Sequence, residues 1–222
     1  TIEVLEQLLL AGVNVVRLNM SHGDHESHAK SYGYIRELAK KNSLPVAVLV
    51  DLSGPKMRCG KFIDGQITLE QNEQVVVTVE DVLGKPGLIP SQYTALADDV
   101  IPGNRILLND GALELQVESI AGKEITAHVV HGGVLKNHKG INLPGVKVSA
   151  PALTEKDKND AIFATSLGAD YIALSFVQKA SDIHELRQLL TSNGSQAQII
   201  TKNEKPEALD NIDEILDACD GI

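Results

Sequence analysis

The sequence of 222 residues contains no tryptophan, and aromatic residues make up only 3% of it. Proteins that bind single-stranded nucleic acid stack the bases on aromatic side chains, so this class of protein is excluded. Basic residues are also in the minority, because 20 Lys and Arg are outnumbered by 30 Asp and Glu. The resulting net charge of −10 disfavours nucleic acid and anionic membranes as partners. A binding site for an anion must therefore be built locally from a few Lys and Arg side chains.

Cysteine and long apolar segments are scarce as well. Cys59 and Cys219 lie far apart and match no metal-binding or redox spacing, so reduced thiols in a cytoplasmic protein are expected. No apolar run reaches the roughly 18 residues of a transmembrane helix, and no signal peptide is recognisable. Because Thr1 opens directly into a helical pattern, we expect residues to be missing before it.

The first part of the chain alternates between helix and strand patterns. Apolar spacing predicts a helix over residues 2–11, a strand over 13–20 and a second helix over 24–41, with Ser21 or Gly23 near its start. Residues 46–51 form a continuous apolar run of the kind that is buried in parallel sheets. This order indicates a βαβ organisation.

From about residue 62 to 134 the pattern changes to short strands separated by turn residues. Turns at 64–65, 109–111 and 121–123 predict hairpins in a small antiparallel barrel or sandwich. After Pro151 helices and strands alternate again: helix 154–168, strand 171–176, helix 181–191, strand 198–202, helix 206–218 and the start of a strand at 220–222.

The fold class is therefore α/β, a partial (β/α)₈ barrel interrupted by an inserted all-β domain. The α/β residues number about 125, roughly half of a complete barrel of about 250. The predicted domains are the first part of the barrel at 1–53, the insertion at 54–148 and the continued barrel at 149–222.

Polar side chains follow each predicted parallel strand where it ends: Arg17, Asn19, Ser21, Asp51, Ser175, Lys202 and Glu204. Reactive groups of barrel enzymes collect at the carboxyl ends of the strands, so these side chains predict a site. Strand alternation puts Arg17, Asn19 and Ser21 on one face. We expect Arg17 to be buried and paired, either with a phosphate or with a neighbouring carboxylate.

Lys202 and Glu204 share a strand face and leave several functions open. A lysine beside a carboxylate binds a phosphate, acts as a Schiff-base nucleophile as in an aldolase-type barrel, or simply forms an ion pair with the carboxylate. Glu204 and Asp51 are oxygen ligands suited to Mg²⁺ that bridges a substrate phosphate. A nucleotide-binding scaffold without catalysis is the alternative that is not an enzyme.

Other charged segments have simpler interpretations. His25 and His28 are predicted to face solvent at a helix start rather than to bind zinc. Residues 155–158 are predicted to be a solvated helix face. The basic loop at 136–140 is either a surface loop or a lid over a nucleotide phosphate.

Five motifs resemble those of pyruvate kinases. Residues 14–23 (NVVRLNMSHG) resemble the second-strand motif of that family, and residues 51–58 (DLSGPKMR) resemble its junction into the mobile B domain. Residues 139–145 resemble the return junction, while 174–177 and 201–204 match later active-site strands. The motifs occur in the same order from end to end of the chain, so the resemblance covers essentially all of it.

The resemblance implies transfer of a phosphoryl group from phosphoenolpyruvate to ADP, giving pyruvate and ATP in glycolysis. By position, Arg17 would bind the substrate phosphate, and Lys202 would stabilise the charge on the transferring phosphoryl group. These two residues are the implied catalytic residues. Ser175 and Phe176 would line the phosphoenolpyruvate pocket.

The resemblance also implies a nucleotide site and a metal site. The nucleotide would be bound by Asn19, Met20, Ser21, His22, Arg58 and Lys139, the last two as the B domain closes. Glu204 would ligate Mg²⁺ or Mn²⁺. The family further implies a cytoplasmic homotetramer that binds neither nucleic acid nor membrane.

The potassium site of this family is altered in the sequence. Many members bind K⁺ through groups matching Asn19, Ser21, Asp51 and the Leu52 carbonyl. K⁺-dependent members have Thr and Glu at the positions of Leu52 and Lys56. The pair found here resembles a K⁺-independent subgroup, in which the lysine ammonium stands in for the ion. We therefore expect the full-length enzyme to work without K⁺.

Two further departures concern Asn203 and the length of the chain. Asn203 stands where the family has Ile or Val, and a buried, unpartnered amide there costs roughly 1–3 kcal/mol. Relative to the family, the chain stops before the next acidic Mg²⁺ ligand and the threonine linked to enolate protonation. It also lacks the first barrel strand and the C-terminal domain. We expect the fragment to be inactive and its parent protein to be an enzyme.

Overall fold

The computed structural model describes residues 1–55, 57–204 and 207–222. The helices are α1 (Ile2–Leu10), α2 (His25–Lys41), α3 (Leu96–Asp99), α4 (Glu155–Leu167), α5 (Ala180–Ser192), α6 (Glu207–Asp210) and α7 (Ile212–Ala218). The strands are β1 (Val15–Asn19), β2 (Ala47–Asp51), β3 (Gln66–Leu69), β4 (Gln74–Thr78), β5 (Leu88–Pro90), β6 (Arg105–Leu108), β7 (Leu113–Ala121), β8 (Glu124–His131), β9 (Gly133–Lys136), β10 (Ile141–Asn142), β11 (Tyr171–Ser175) and β12 (Gln198–Lys202).

The chain divides into two compact units. Thr1–Pro55 and Pro151–Ile222 form one of them, which we call the α/β unit, and Lys56–Ala150 form the other, which we call the β unit. Because the second unit is all β apart from one short helix and interrupts the first, the predicted fold class is confirmed.

The α/β unit contains a parallel sheet in the order β1-β2-β11-β12. The register pairs Asn19 with Asp51, Asp51 with Ala173 and Ser175 with Lys202, so β11 and β12 end two residues beyond β1 and β2. This is half of a barrel sheet. Gly221 forms a parallel bridge with Ile200 beside β12, which agrees with a strand start predicted near the last residues.

Local sequence signals set the helix ends in this unit. Thr154 caps α4 in a capping box with Asp157, and the helix ends at Gly168 in the left-handed region, as the sequence predicts. The helix α2 begins where it is predicted, with Asp24 as its N-cap, whose carboxylate accepts the amide proton of Ser27.

One predicted helix is divided. Residues 206–218 were expected to form a single helix, but the structure has α6 and α7 with a break at Asn211. The backbone of Asn211 is not helical, at φ −117°, and its side-chain amide donates to the carbonyl of Gln178 at 2.8 Å. This bond to a residue distant in sequence fixes the side chain of Asn211 at the break.

The β unit is built from a six-stranded sheet, in the order β10-β6-β7-β8-β4-β5, and the antiparallel pair β3 and β9. The predicted hairpins β6–β7 and β7–β8 are confirmed. The hairpin predicted around the turn at 64–65 is wrong, because β3 pairs with β9 instead. Phe62, in the first half of that expected hairpin, is buried in the core and donates its amide proton to the side chain of Asn137.

Each unit has its own apolar core. In the α/β unit it is formed by Val48, Val50 and Leu174 of the sheet with Ile35 and Leu186 of the helices.

Both cysteines have free thiols, and burial raises the pKa of the Cys59 thiol. Among the described helices, none combines the length and the apolarity that crossing a membrane requires.

Candidate functional site

A buried carboxylate at the end of β2 holds two cations. The Asp51 side chain, 3% exposed, accepts a hydrogen bond from Arg17 Nε at 2.7 Å on Oδ2 and one from Lys202 Nζ at 3.2 Å on Oδ1. β1 and β12 deliver these two cations from opposite sides of β2. A buried carboxylate needs such partners, because an unpaired internal charge is costly.

The expectation that Arg17 is buried is wrong. Its side chain is 58% exposed, while its strand neighbours Leu18 and Met20 are buried. The reason is strand alternation, because Leu18 and Met20 point into the apolar core shared with the helices and Arg17 points to the opposite face of the sheet. Of the two partners left open by the sequence, the structure contains the carboxylate, that of Asp51.

Lys202 is surrounded by hydrogen-bond acceptors. Besides Asp51, its Nζ donates to Ser175 Oγ at 2.9 Å and lies 3.3 Å from Glu204 Oε1. Ser175 in turn donates to the Leu52 carbonyl at 2.7 Å. An ammonium donor held by several acceptors has no free lone pair for attack on a carbonyl, so these contacts favour a fixed cation over a Schiff-base nucleophile.

Phe176 follows β11 in a strained conformation, with φ at 58°. It packs closely on Gly54, where an added Cβ would lie 2.6 Å from Phe176 Cδ2 and 3.1 Å from the Ser175 Cβ. Gly54 also has a φ of 64°, so its position requires glycine on both counts. The segment after β2 and the segment after β11 are therefore fitted to each other.

The residues after β1 form a tight turn. Asn19 Oδ1 accepts the amide proton of Ser21 at 3.0 Å, and the His22 amide donates to the Asn19 carbonyl at 3.2 Å. His22 is exposed, whereas Met20 is 3% exposed and its amide donates to the carbonyl of Asp51. The Met20 carbonyl accepts a hydrogen bond from Lys156 Nζ at 2.8 Å, so both backbone polar groups of Met20 have partners within the protein.

The groups predicted to bind K⁺ already have protein partners. The Leu52 carbonyl accepts from Ser175, Asn19 Oδ1 accepts from Ser21, and Ser21 Oγ lies 3.4 Å from Ser53 Oγ. The lysine predicted to replace the ion, Lys56, lies outside the described residues.

Sequence reasoning missed a second polar cluster at the end of β1. Asp160, buried on α4, accepts from Lys156 Nζ at 2.5 Å and contacts His25 Nε2 at 2.8 Å. Lys156 also donates to the Met20 carbonyl at 2.8 Å, and the His25 ring stacks on Phe163. The spacing of four residues between Lys156 and Asp160 was the available signal. His25 is exposed at the start of α2, as predicted, and it makes these contacts in addition.

The predicted solvated face at 155–158 is wrong for Asp157, which is 0% exposed. Its carboxylate accepts the Gly54 amide proton at 3.1 Å, the Thr154 amide proton at 3.0 Å and the Thr154 hydroxyl proton at 2.5 Å. The helix pattern cannot show this, because the partner Gly54 comes from a distant part of the sequence.

Asn203 has a buried polar atom without a partner. Its Oδ1 accepts no hydrogen bond within the part of the chain that the structure describes. This agrees with the prediction of an unpartnered amide at this position.

In the β unit, Arg58 and Lys139 lie on paired segments. Arg58 forms an antiparallel bridge with Gly140 and donates to the His138 carbonyl at 3.2 Å, while the Cys59 amide donates to the Lys139 carbonyl at 2.9 Å. The two cations predicted to contact nucleotide phosphates are thus neighbours within this unit.

The available metal ligands are few. No group of three or more His, Cys, Asp or Glu side chains within residues 1–55, 57–204 and 207–222 has the geometry of a metal site. Both oxygens of Asp51 are occupied by cations, which leaves the Glu204 carboxylate, 38% exposed, as the predicted ligand. One carboxylate together with substrate phosphate oxygens is a common way of holding Mg²⁺, so the donor chemistry fits.

Comparison with known proteins gives consistent matches. The family model for pyruvate kinase, barrel domain, matches residues 1–222. Pyruvate kinase of Geobacillus stearothermophilus is 47% identical over 226 residues, covering 100% of this chain and 38% of the relative. The enzyme of Corynebacterium glutamicum is 42% identical over 97% of this chain and 46% of its own length. The enzyme of Staphylococcus aureus is 44% identical over 99% of this chain and 38% of its own length. The chain spans less than half the length of these relatives.

Proposed function

Because this chain belongs to the pyruvate kinase family, we propose that its complete gene product transfers the phosphoryl group of phosphoenolpyruvate to ADP, giving pyruvate and ATP. One observation carries the proposal. Arg17 and Lys202 lie on either side of Asp51, at the carboxyl end of a half-barrel sheet. Phosphoryl transfer depends mainly on positioned cations around the phosphoryl oxygens, and this arrangement supplies two of them.

The two cations have different roles in the proposal. Arg17 directs Nε and one Nη to Asp51, and its largely exposed guanidinium has further N–H donors for the substrate phosphate. Lys202 is held by Asp51 and Ser175, so its ammonium is placed before the substrate arrives. A preorganised charge stabilises the transferring phosphoryl group without costly reorganisation.

The remaining site residues complete the two substrate pockets. Ser175 and Phe176 line the phosphoenolpyruvate pocket, and their fit against Gly54 fixes its shape. The turn after β1, from Asn19 to His22, lines the nucleotide site. We further propose that Arg58 and Lys139 contact the nucleotide phosphates.

The oxygen ligands of the site fit a divalent metal ion. Glu204 would hold Mg²⁺ or Mn²⁺, and a bound ion would supply positive charge that neutralises the substrate phosphate. K⁺ is not required, since Leu52 and Lys56 stand in place of the Thr and Glu of K⁺-dependent enzymes. We also propose a cytoplasmic homotetramer for the complete protein, and no activity for this chain alone.

A coupled assay of pyruvate formation tests the proposal. The complete gene product, supplied with phosphoenolpyruvate, ADP and Mg²⁺, should form pyruvate, and the chain of 222 residues should not. Absence of turnover in the complete protein, together with ADP binding, would favour a nucleotide-binding scaffold. Borohydride trapping of a carbonyl substrate on Lys202 would favour the aldolase alternative.

A further inference from the structure

The Asp157 carboxylate links the two segments that connect the α/β unit to the β unit. Gly54 lies immediately before the point where the chain leaves the α/β unit, and Thr154 lies just after it returns. Asp157 Oδ1 accepts the amide proton of Gly54, and Oδ2 accepts both the amide and the hydroxyl protons of Thr154. One side chain thus joins residues that are far apart in sequence but flank the same insertion.

Helix capping alone does not account for this arrangement. A capping box explains the bonds between Asp157 and Thr154. It requires neither burial nor a contact with Gly54, because the capping box of α2, built on Asp24 and Ser27, is exposed. Asp157 is fully buried, and its second oxygen is committed to a residue outside the helix.

Gly54 in turn touches the proposed substrate pocket. It packs against the Ser175 side chain and the Phe176 ring so closely that no other residue fits. Ser175 is also a hydrogen-bond partner of Lys202. A displacement of Gly54 would therefore move the residues that shape the pocket, although Asp157 itself touches neither Ser175 nor Lys202 in its hydrogen bonds.

We propose that Asp157 is a positioning residue that anchors Gly54 against Ser175 and Phe176 and thereby sets the shape of the phosphoenolpyruvate pocket. The anchoring of Gly54 by Asp157 is argued from the hydrogen bonds alone. The effect on the phosphoenolpyruvate pocket rests on the proposed function. Loss of the anchor affects substrate binding more than the chemical step, because Lys202 keeps its own partner Asp51.

The test compares Asp157→Ala, Asp157→Asn and Thr154→Val in the complete gene product. Asp157→Ala removes both links, and Asp157→Asn keeps a single acceptor oxygen, which cannot serve Gly54 and Thr154 together. Thr154→Val is the matched control, because it removes the hydroxyl bond to Asp157 but leaves the Gly54 bond in place.

Amide hydrogen exchange at Gly54 is the first measurement, and it requires no catalysis. We expect exchange about tenfold faster in Asp157→Ala than in wild type, a smaller increase in Asp157→Asn and little change in Thr154→Val. If Asp157→Ala does not fold, the comparison of Gly54 exchange in Asp157→Asn with that in Thr154→Val tests the anchoring role. Equal exchange at Gly54 in all folded variants would overturn the anchoring role.

The KM for phosphoenolpyruvate is the second measurement. It should rise about fivefold to tenfold in the Asp157 variants, with kcat changed by less than about twofold, while Thr154→Val keeps the wild-type KM despite lower stability. An equal rise in KM in Thr154→Val would reduce Asp157 to a helix cap. If the wild-type protein shows no transfer at all, the proposed function fails, and the exchange measurement still decides whether Asp157 anchors Gly54.

Discussion

Lys202 Nζ lies 3.2 Å from Asp51 Oδ1, although β11 separates the strands that carry the two residues. The other Asp51 oxygen holds Arg17, so one buried carboxylate sets the separation of both cations. Without the carboxylate, the side chains of Arg17 and Lys202 could adopt other positions. Asp51 therefore positions the two cations of the site, although it carries a negative charge itself.

The first prediction concerns Asp51→Asn. An amide has one acceptor oxygen and cannot serve Arg17 and Lys202 at the same time, so kcat/KM for phosphoenolpyruvate should fall about 100-fold. Steady-state kinetics of the complete gene product measure this. Asp170→Asn is the matched control, because Asp170 pairs with Arg36 and the Val48 amide. An equal loss of kcat/KM in both variants would show a general effect on folding instead.

The second prediction concerns Asn203→Ile. Replacing the amide removes a buried oxygen that has no partner in the described residues, so the free energy of unfolding should rise by about 1–3 kcal/mol. Chemical denaturation measures the change. Asn142→Ile at an exposed strand position is the control and should leave the free energy of unfolding nearly unchanged. An unchanged stability in Asn203→Ile would contradict the cost assigned to the amide.

The third prediction concerns the pH dependence of Asp220. Burial by itself raises the pKa of this carboxyl, but hydrogen bonds from the Ile199 amide and from Arg187 outweigh it, and the pKa is lowered overall. A lowered pKa means stabilisation that is present above the unfolded value of about 3.9 and lost as the pH falls through the folded value.

Asp220→Asn should therefore be less stable than wild type at pH 7, by about 1 kcal/mol, and the difference should shrink below pH of about 4. Unfolding midpoints measured across this pH range test the prediction. A difference between the two proteins that stays constant down to low pH would mean that the charge of Asp220 contributes nothing.

The fourth prediction concerns K⁺. The complete gene product should show the same kcat in buffer free of Na⁺ and K⁺ as in buffer with K⁺, to within about twofold, if the ammonium of Lys56 supplies the charge. Leu52→Thr combined with Lys56→Glu should make the activity depend on K⁺. Strong activation of the wild-type protein by K⁺ would contradict the prediction.

Patterns that depend on the chain nearby were predictable from the sequence. The apolar run ending at Asp51 predicts a buried parallel strand, and the polar residues that follow the strands do meet, as Lys202 with Asp51 and Ser175 shows. The capping box of Thr154 and Asp157 was also visible, because its residues are three apart.

Features set by distant partners were not predictable. The exposure of Arg17 depends on what covers its face of the sheet, which strand alternation alone does not show. The burial of Asp157 depends on Gly54, which a helix pattern cannot reveal. The wrong hairpin at 64–65 has the same cause, since a local turn signal cannot show that β3 pairs with β9.

Transfer of a radiolabelled phosphoryl group from phosphoenolpyruvate to ADP tests the central claim most directly. The complete gene product with Mg²⁺ should form labelled ATP, and Lys202→Met should lower the rate of transfer by about 100- to 1,000-fold, since it removes a preorganised charge. Lys158→Met, which changes a lysine paired with Glu155 and Glu185 on helix surfaces, should keep the wild-type rate. No label in ATP with the wild-type protein, or undiminished transfer by Lys202→Met, would contradict the account.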